Sequence, residues 1–168
     1  CKGCSNPELW EFQDRYYTSP QIVYNLVLQI AKKHTIDGFT ITGGDPLYQA
    51  NDLHQLIALL RAVSEDILVY TGYLLKEIST DKLNGVAVLI DGEYIESRNN
   101  NCILRGSDNQ SIHILDDRYR ERYNDYLSST ENKIQNFMTS DGVVSVGIHR
   151  PNFITALNQG MSQKGVEI

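Results

Sequence analysis

Two cysteines, Cys1 and Cys4, stand two residues apart in the stretch CKGCSNPELWEF. That spacing suits a redox dithiol, half of a zinc site, one end of a disulfide or part of an iron–sulfur site, and each needs different companions. A structural zinc site takes four ligands, commonly as two close pairs. The sequence has no second CxxC, and His34, His54, His113 and His149 are scattered without ligand spacing, so they read as ordinary histidines. A thioredoxin-like dithiol follows a strand and opens a helix, and here Pro7 comes only after the pair. Iron–sulfur clusters usually take four cysteines. A cluster held by three keeps one iron open for a substrate, as any catalytic metal site keeps an open position. On that reading Cys1 and Cys4 are two of the three ligands. Cys102, alone in NNNCILRGS, reads as a partly buried thiol.

Three further stretches carry chemistry-bearing residues: TGGDP from Thr42, TGY from Thr71 and DGEY from Asp91. Each is explicable as a strand-ending turn when taken alone. Their placement argues for more. The run IDGFTIT (36–42) is β-branched and aromatic and ends at Gly43-Gly44, ILVYTGY (67–73) is a strand running into a turn, and GVAVLIDG (85–92) is a continuous apolar strand. Before and between them lie helices. One is capped by Ser19 and started by Pro20, with Ile22, Leu26, Ile30 and Val23, Val27 at helical spacing. Another runs from about Asn51 with Leu53, Leu56, Ile57 and Leu60 on one face, and LLKEIS reads as a short third. Such βα alternation predicts a parallel sheet, whose chemistry gathers at the carboxyl ends of the strands. The three stretches should therefore meet on one rim.

Beyond Gly106 the alternation fades. DDRYRERYNDYLSS reads as an exposed, tyrosine-rich helix. A hairpin is expected around Asp141-Gly142, with Val144, Val146 and Ile148 alternating, and then a closing helix ended by Gly160. The expected division is a βα core over 1–115 and an α+β extension over 116–168.

The chain of 168 residues suffices for one ordinary domain with a sizeable core. Lys+Arg at 15 against Asp+Glu at 21 gives a net charge of −6, which argues against nucleic acid or an anionic membrane as the main partner. The longest apolar run, Ile22 to Ala31, is broken by Asn25 and Gln29 and is too short to span a bilayer. No secretory signal is visible. Three cysteines, a low and odd number, suit a reducing, cytoplasmic setting better than a disulfide-stapled secreted domain.

Taken in order, CKGCSNPELW, ITGGDPLY, VYTGY, VLIDGEY and RGSDNQ resemble the radical S-adenosylmethionine (SAM) family over roughly residues 1–112. The resemblance is closest to its branch of activating proteins for anaerobic (class III) ribonucleotide reductase. It implies a partial (βα) barrel of α/β class, with the first strand and the first of the three cluster cysteines lying upstream of Cys1. Cys1 and Cys4 match the second and third cysteines that hold the 4Fe-4S cluster. Thr42, Gly43, Gly44 and Asp45 match the motif that holds the SAM amino group, with Asp45 where many members have Glu. Thr71, Gly72 and Tyr73 match a turn near SAM, and Asn6 is implied as a further SAM contact. Gly3 stands where many members carry an aromatic residue, so adenine stacking has to come from elsewhere.

The implied reaction is reductive cleavage of SAM at the cluster to a 5′-deoxyadenosyl radical. In this branch the radical takes a hydrogen from a glycine of a partner enzyme, and an electron donor such as flavodoxin or ferredoxin supplies the reducing equivalent. Residues 116–168 depart from that pattern, which keeps two other readings in view. One is a radical SAM enzyme acting on a peptide or small molecule. The other is a non-catalytic iron–sulfur electron-transfer or binding module, against which the GGD and TGY motifs speak, since a carrier has no use for them. A plain zinc or dithiol module is the remaining reading.

Overall fold

A computed structural model of the chain describes residues 7–11, 13–14, 17–128, 134–140, 142–150 and 152–163. Cys1, Cys4 and Asn6 lie outside the described residues, as does Asp141. Helix α1 spans Pro20–Ala31, and the hydroxyl of Ser19 accepts the Ile22 N–H at 3.4 Å, with Pro20 at the position where a missing N–H costs nothing. Strand β1 (Phe39–Ile41), helix α2 (Ala50–Leu60), strand β2 (Ile67–Tyr70) and strand β3 (Val88–Asp91) follow as the sequence predicts.

The expected short helix at LLKEIS is replaced by two 3-10 turns, Leu75–Glu77 and Thr80–Leu83. Strand β4 (Ser111–Ile114) is an element the sequence reading did not expect. Among the described residues the main sheet has the order β1-β2-β3-β4. Its first three strands are parallel, and β4 runs antiparallel to β3 in the register Leu89↔His113. The sheet is thus mixed, not parallel throughout. The correction follows from the loop 105–110, which turns the chain back at the carboxyl end of β3, so that no crossover helix is needed.

The period of two along the strands divides the core. Ile67, Val69 and Leu89 face Leu53, Ile57 and Leu60 of α2. Leu68, Val88 and Ile90 face the opposite way, where Tyr119 and Tyr123 pack against them. Covered on both faces, β3 is buried along its whole length. Tyr119 closes the 3-10 turn Asp117–Tyr119, and Tyr123 belongs to helix α3 (Arg120–Ser128). The tyrosine-rich stretch expected as a solvated face is therefore amphipathic, its apolar side carried by aromatic rings.

In α1 the face is also unexpected. Tyr24 and Val27 pack on the core, whereas Ile22 (62%), Leu26 (57%) and Ile30 (44%) are exposed. With apolar residues on either side of the polar Gln21, Asn25 and Gln29 stripe, the pattern does not reveal which apolar face will be covered.

The Tyr123 hydroxyl donates to Asp66 Oδ1 at 2.7 Å, and Arg122 Nη1 lies 2.9 Å from Asp66 Oδ2. Asp66 is 4% exposed, so its carboxylate depends on these two partners. Burial, then the bond to Asp66, pushes the Tyr123 phenol well above its usual range, so it remains a donor at any physiological pH. Tyr123→Phe is expected to lower stability by about 2 kcal/mol, measured by urea unfolding, because a buried charge loses a hydrogen bond.

Strands β5 (Gln135–Thr139) and β6 (Gly142–Val146) form the expected antiparallel hairpin. Helix α4 (Phe153–Gln163) continues past Gly160, where the sequence reading ended it. Asn99 Nδ2 donates to His149 O at 2.9 Å and Arg150 Nε to Asn101 Oδ1 at 3.1 Å, tying this segment to the β3–β4 connection.

Candidate functional site

Because β1, β2 and β3 are parallel, the stretches after them share one rim of the sheet. Asp45, just beyond β1, caps the 3-10 turn Pro46–Gln49, its Oδ1 accepting the Leu47 N–H at 3.0 Å. The same carboxylate reaches across to the β2 loop. Thr71 Oγ1 lies 3.0 Å from both Asp45 oxygens and donates to them, and the Gly72 N–H donates to Oδ2 at 2.7 Å. The β2 loop is joined in turn to the β3 loop, where the Gly92 N–H donates to Tyr73 O at 3.0 Å. Gly92 takes φ +95, a conformation that a tight turn reserves largely for glycine.

The loop before β4 closes the rim from the other side. Gln110 Nε2 donates to Gly92 O at 2.8 Å and Asn109 Nδ2 to Glu93 O at 2.8 Å. Gln110 Oε1 accepts from Gly106 N and Ser107 N, and the buried Ser107 hydroxyl accepts the Ile95 N–H at 3.1 Å. Ser107 and Gln110 are residues the sequence reading left unassigned. Their polarity gave no signal, because a polar loop and a buried polar brace have the same composition. Asp91 is likewise more than a turn residue. Its Oδ2 accepts the Leu75 N–H at 2.7 Å, and His113 Nε2 lies 3.0 Å away, at ion-pair distance but without hydrogen-bond alignment.

Within this frame Thr42, Gly43, Gly72 and Tyr73 are exposed, Gly44 and Asp45 are half-buried, and Thr71 is 4% exposed. Gly43 takes φ +131 and has open space where a side chain would stand. At Gly44 the situation is reversed, since a Cβ would meet the carbonyl oxygen of Leu9 at 2.7 Å. Leu9 belongs to the 3-10 turn Pro7–Trp10, the continuation of the cysteine-bearing segment. The backbone of this turn thus rests on the GGD loop at Leu9. The open, exposed ledge at Gly43, next to a carboxylate, is a surface that fits a small cationic group.

Among the described residues no three His, Cys, Asp or Glu side chains gather as a metal site. Cys102 is half-buried in the loop after β3. No helix among the described residues is long and apolar enough to cross a membrane.

Residues 1–113 match the family described as 4Fe-4S single cluster domain. The chain is 34% identical over 117 residues to the anaerobic ribonucleoside-triphosphate reductase-activating protein of Enterobacteria phage T4, covering 67% of this chain and 74% of the relative. It is 35% identical over 126 residues to the protein of that name from Haemophilus influenzae, covering 67% and 79%. The protein of that name from Pasteurella multocida is 33% identical over 126 residues, covering 67% and 78%. No solved structure matches the chain.

Proposed function

The chain belongs to the 4Fe-4S single cluster domain family, in the branch of the anaerobic ribonucleoside-triphosphate reductase-activating proteins, and from that premise we propose that it is a radical SAM enzyme. Its substrate on this reading is an anaerobic ribonucleotide reductase, on which it generates a glycyl radical, with flavodoxin or ferredoxin as electron donor, in the cytoplasm. The cluster and SAM supply the hard chemistry when bound, namely reductive cleavage to a 5′-deoxyadenosyl radical.

The protein supplies position and exclusion of water. Cys1 and Cys4 would hold two irons of the cluster. Thr42, Gly43 and Gly44 would form the wall that meets the SAM amino group, with Asp45 closing its end and Asn6 and the Thr71-Gly72-Tyr73 turn beside it. The observation that carries this reading is the seating of the Leu9 carbonyl against Gly44, which places the Pro7–Trp10 turn on the GGD loop. A partial βα barrel of the radical SAM type is the architecture we propose around it. The outer edge of β1 and the exposed Ile22, Leu26 and Ile30 stripe of α1 support that architecture. The family match ends at residue 113, which supports treating 116–168 as an extension packed on a core of 1–115.

The test is anaerobic reconstitution, with iron and sulfide, of the protein carrying all three cluster cysteines, then addition of SAM and a strong reductant. 5′-Deoxyadenosine is expected by mass spectrometry, and a glycyl radical is expected by EPR once an anaerobic ribonucleotide reductase is added. 5′-Deoxyadenosine without the glycyl radical would point to the peptide or small-molecule reading. Neither product, from protein with an intact cluster, would leave the electron-transfer or binding-module reading.

A further inference from the structure

We infer that Asp45 serves as a clasp between the β1 and β2 loops, with Thr71 as its other half, and acts on SAM through the position of those loops. This deepens the proposed function and rests on it. A carboxylate offers about four lone-pair positions. Leu47 N–H and the Thr71 hydroxyl address Oδ1, while Gly72 N–H and the same hydroxyl address Oδ2. Three protein donors, the hydroxyl shared between both oxygens, thus already occupy most of this carboxylate.

Thr71 is built to hold its end. It is 4% exposed, its N–H donates to Ile90 O at 3.0 Å, and its Oγ1 accepts the Tyr73 N–H at 3.2 Å. That last bond orients the hydroxyl so that its proton points at Asp45. The clasp joins residues 26 and 27 positions apart, so it fixes the distance between two loops that nothing local could fix. The ledge at Gly43, open and exposed, is then the surface on which the amino group rests. Asp45 is by this argument a positioning residue.

The experiment is a double-mutant cycle on the reconstituted protein with Asp45→Ala, Thr71→Val and the pair. SAM affinity is read from the change in the reduced cluster's EPR spectrum, and unfolding midpoints are taken without SAM. Each single variant is expected to weaken SAM binding at least about tenfold and to lower the midpoint by at least about 3 °C, Thr71→Val through one hydrogen bond to a charged group and Asp45→Ala through the three that it accepts. The pair should be no worse than Asp45→Ala alone, and Thr71→Ser, which keeps the hydroxyl, should recover most of the loss.

If Thr71→Val leaves SAM affinity intact while Asp45→Ala weakens it, Asp45 contacts the ligand directly and the clasp is overturned. If the two effects multiply, the same conclusion follows. Should the unaltered protein fail to bind SAM, the proposed function falls, and the midpoints still decide the clasp. Non-additive midpoints support it, and additive ones remove it.

Discussion

Cys4→Ala, reconstituted anaerobically with iron and sulfide, is expected to lose the broad 4Fe-4S absorbance and to form no detectable 5′-deoxyadenosine. Cys1→Ala is expected to do the same. A three-cysteine cluster has no spare ligand, so removing one thiolate leaves two irons open and the cluster hydrolytically exposed. The described residues give no replacement, since no group of His, Cys, Asp and Glu among them stands ready as a ligand set. Cys102→Ala is the control and should keep both signals, because it lies half-buried in the loop after β3 rather than in the cysteine segment. Iron retained at full stoichiometry by Cys4→Ala would remove Cys4 from the ligand set. Zinc in place of iron, bound by the same pair, would return the protein to the structural-metal reading.

The positions of the candidate residues at strand ends were legible in the sequence, and the contacts among them were not. Gly43, Gly44 and Asp45 could be placed after a strand because an apolar β-branched run stops at a glycine pair. Thr71 and Gly72 could be placed by the same rule. That Asp45 spans to both of them required the parallel register Ile41↔Val69, which no local pattern encodes. Strand β4 was missed for a related reason. SIHI is short and half polar, and it becomes a strand because it completes hydrogen bonding along β3. The apolar side of α3 and of the turn before it was hidden by its chemistry, since Tyr119 and Tyr123 sit among arginines and aspartates that dominate the composition. The segment after β4 follows the expected hairpin, yet its ties at Asn99 and Asn101 are tertiary and left no trace in the spacing.

Gly44→Ala is expected to reach the cluster although the residue itself holds no metal. The added Cβ would stand 2.7 Å from the Leu9 carbonyl oxygen, closer than real Cβ contacts come. Because the opposing atom is backbone, no rotamer change relieves the clash, and the Pro7–Trp10 turn has to move. Overpacking of this kind costs about 1–3 kcal/mol, or several degrees in the unfolding midpoint. The displaced turn continues directly into the segment bearing Cys4, so both the cluster's EPR signature and SAM affinity should change. Gly43→Ala separates the two effects. Its Cβ meets nothing within 4 Å, but φ +131 strains any residue with a side chain, so the disturbance stays in the ledge. That variant should keep the cluster signal and bind SAM about tenfold more weakly, in line with a strain of one to three kcal/mol. A Gly44→Ala protein with unaltered cluster spectrum and SAM affinity would mean that the turn after Cys4 does not rest on the GGD loop. The link from cysteines to rim would then have to be sought elsewhere. A changed spectrum in Gly44→Ala with an unchanged one in Gly43→Ala would trace that link to the Leu9 carbonyl.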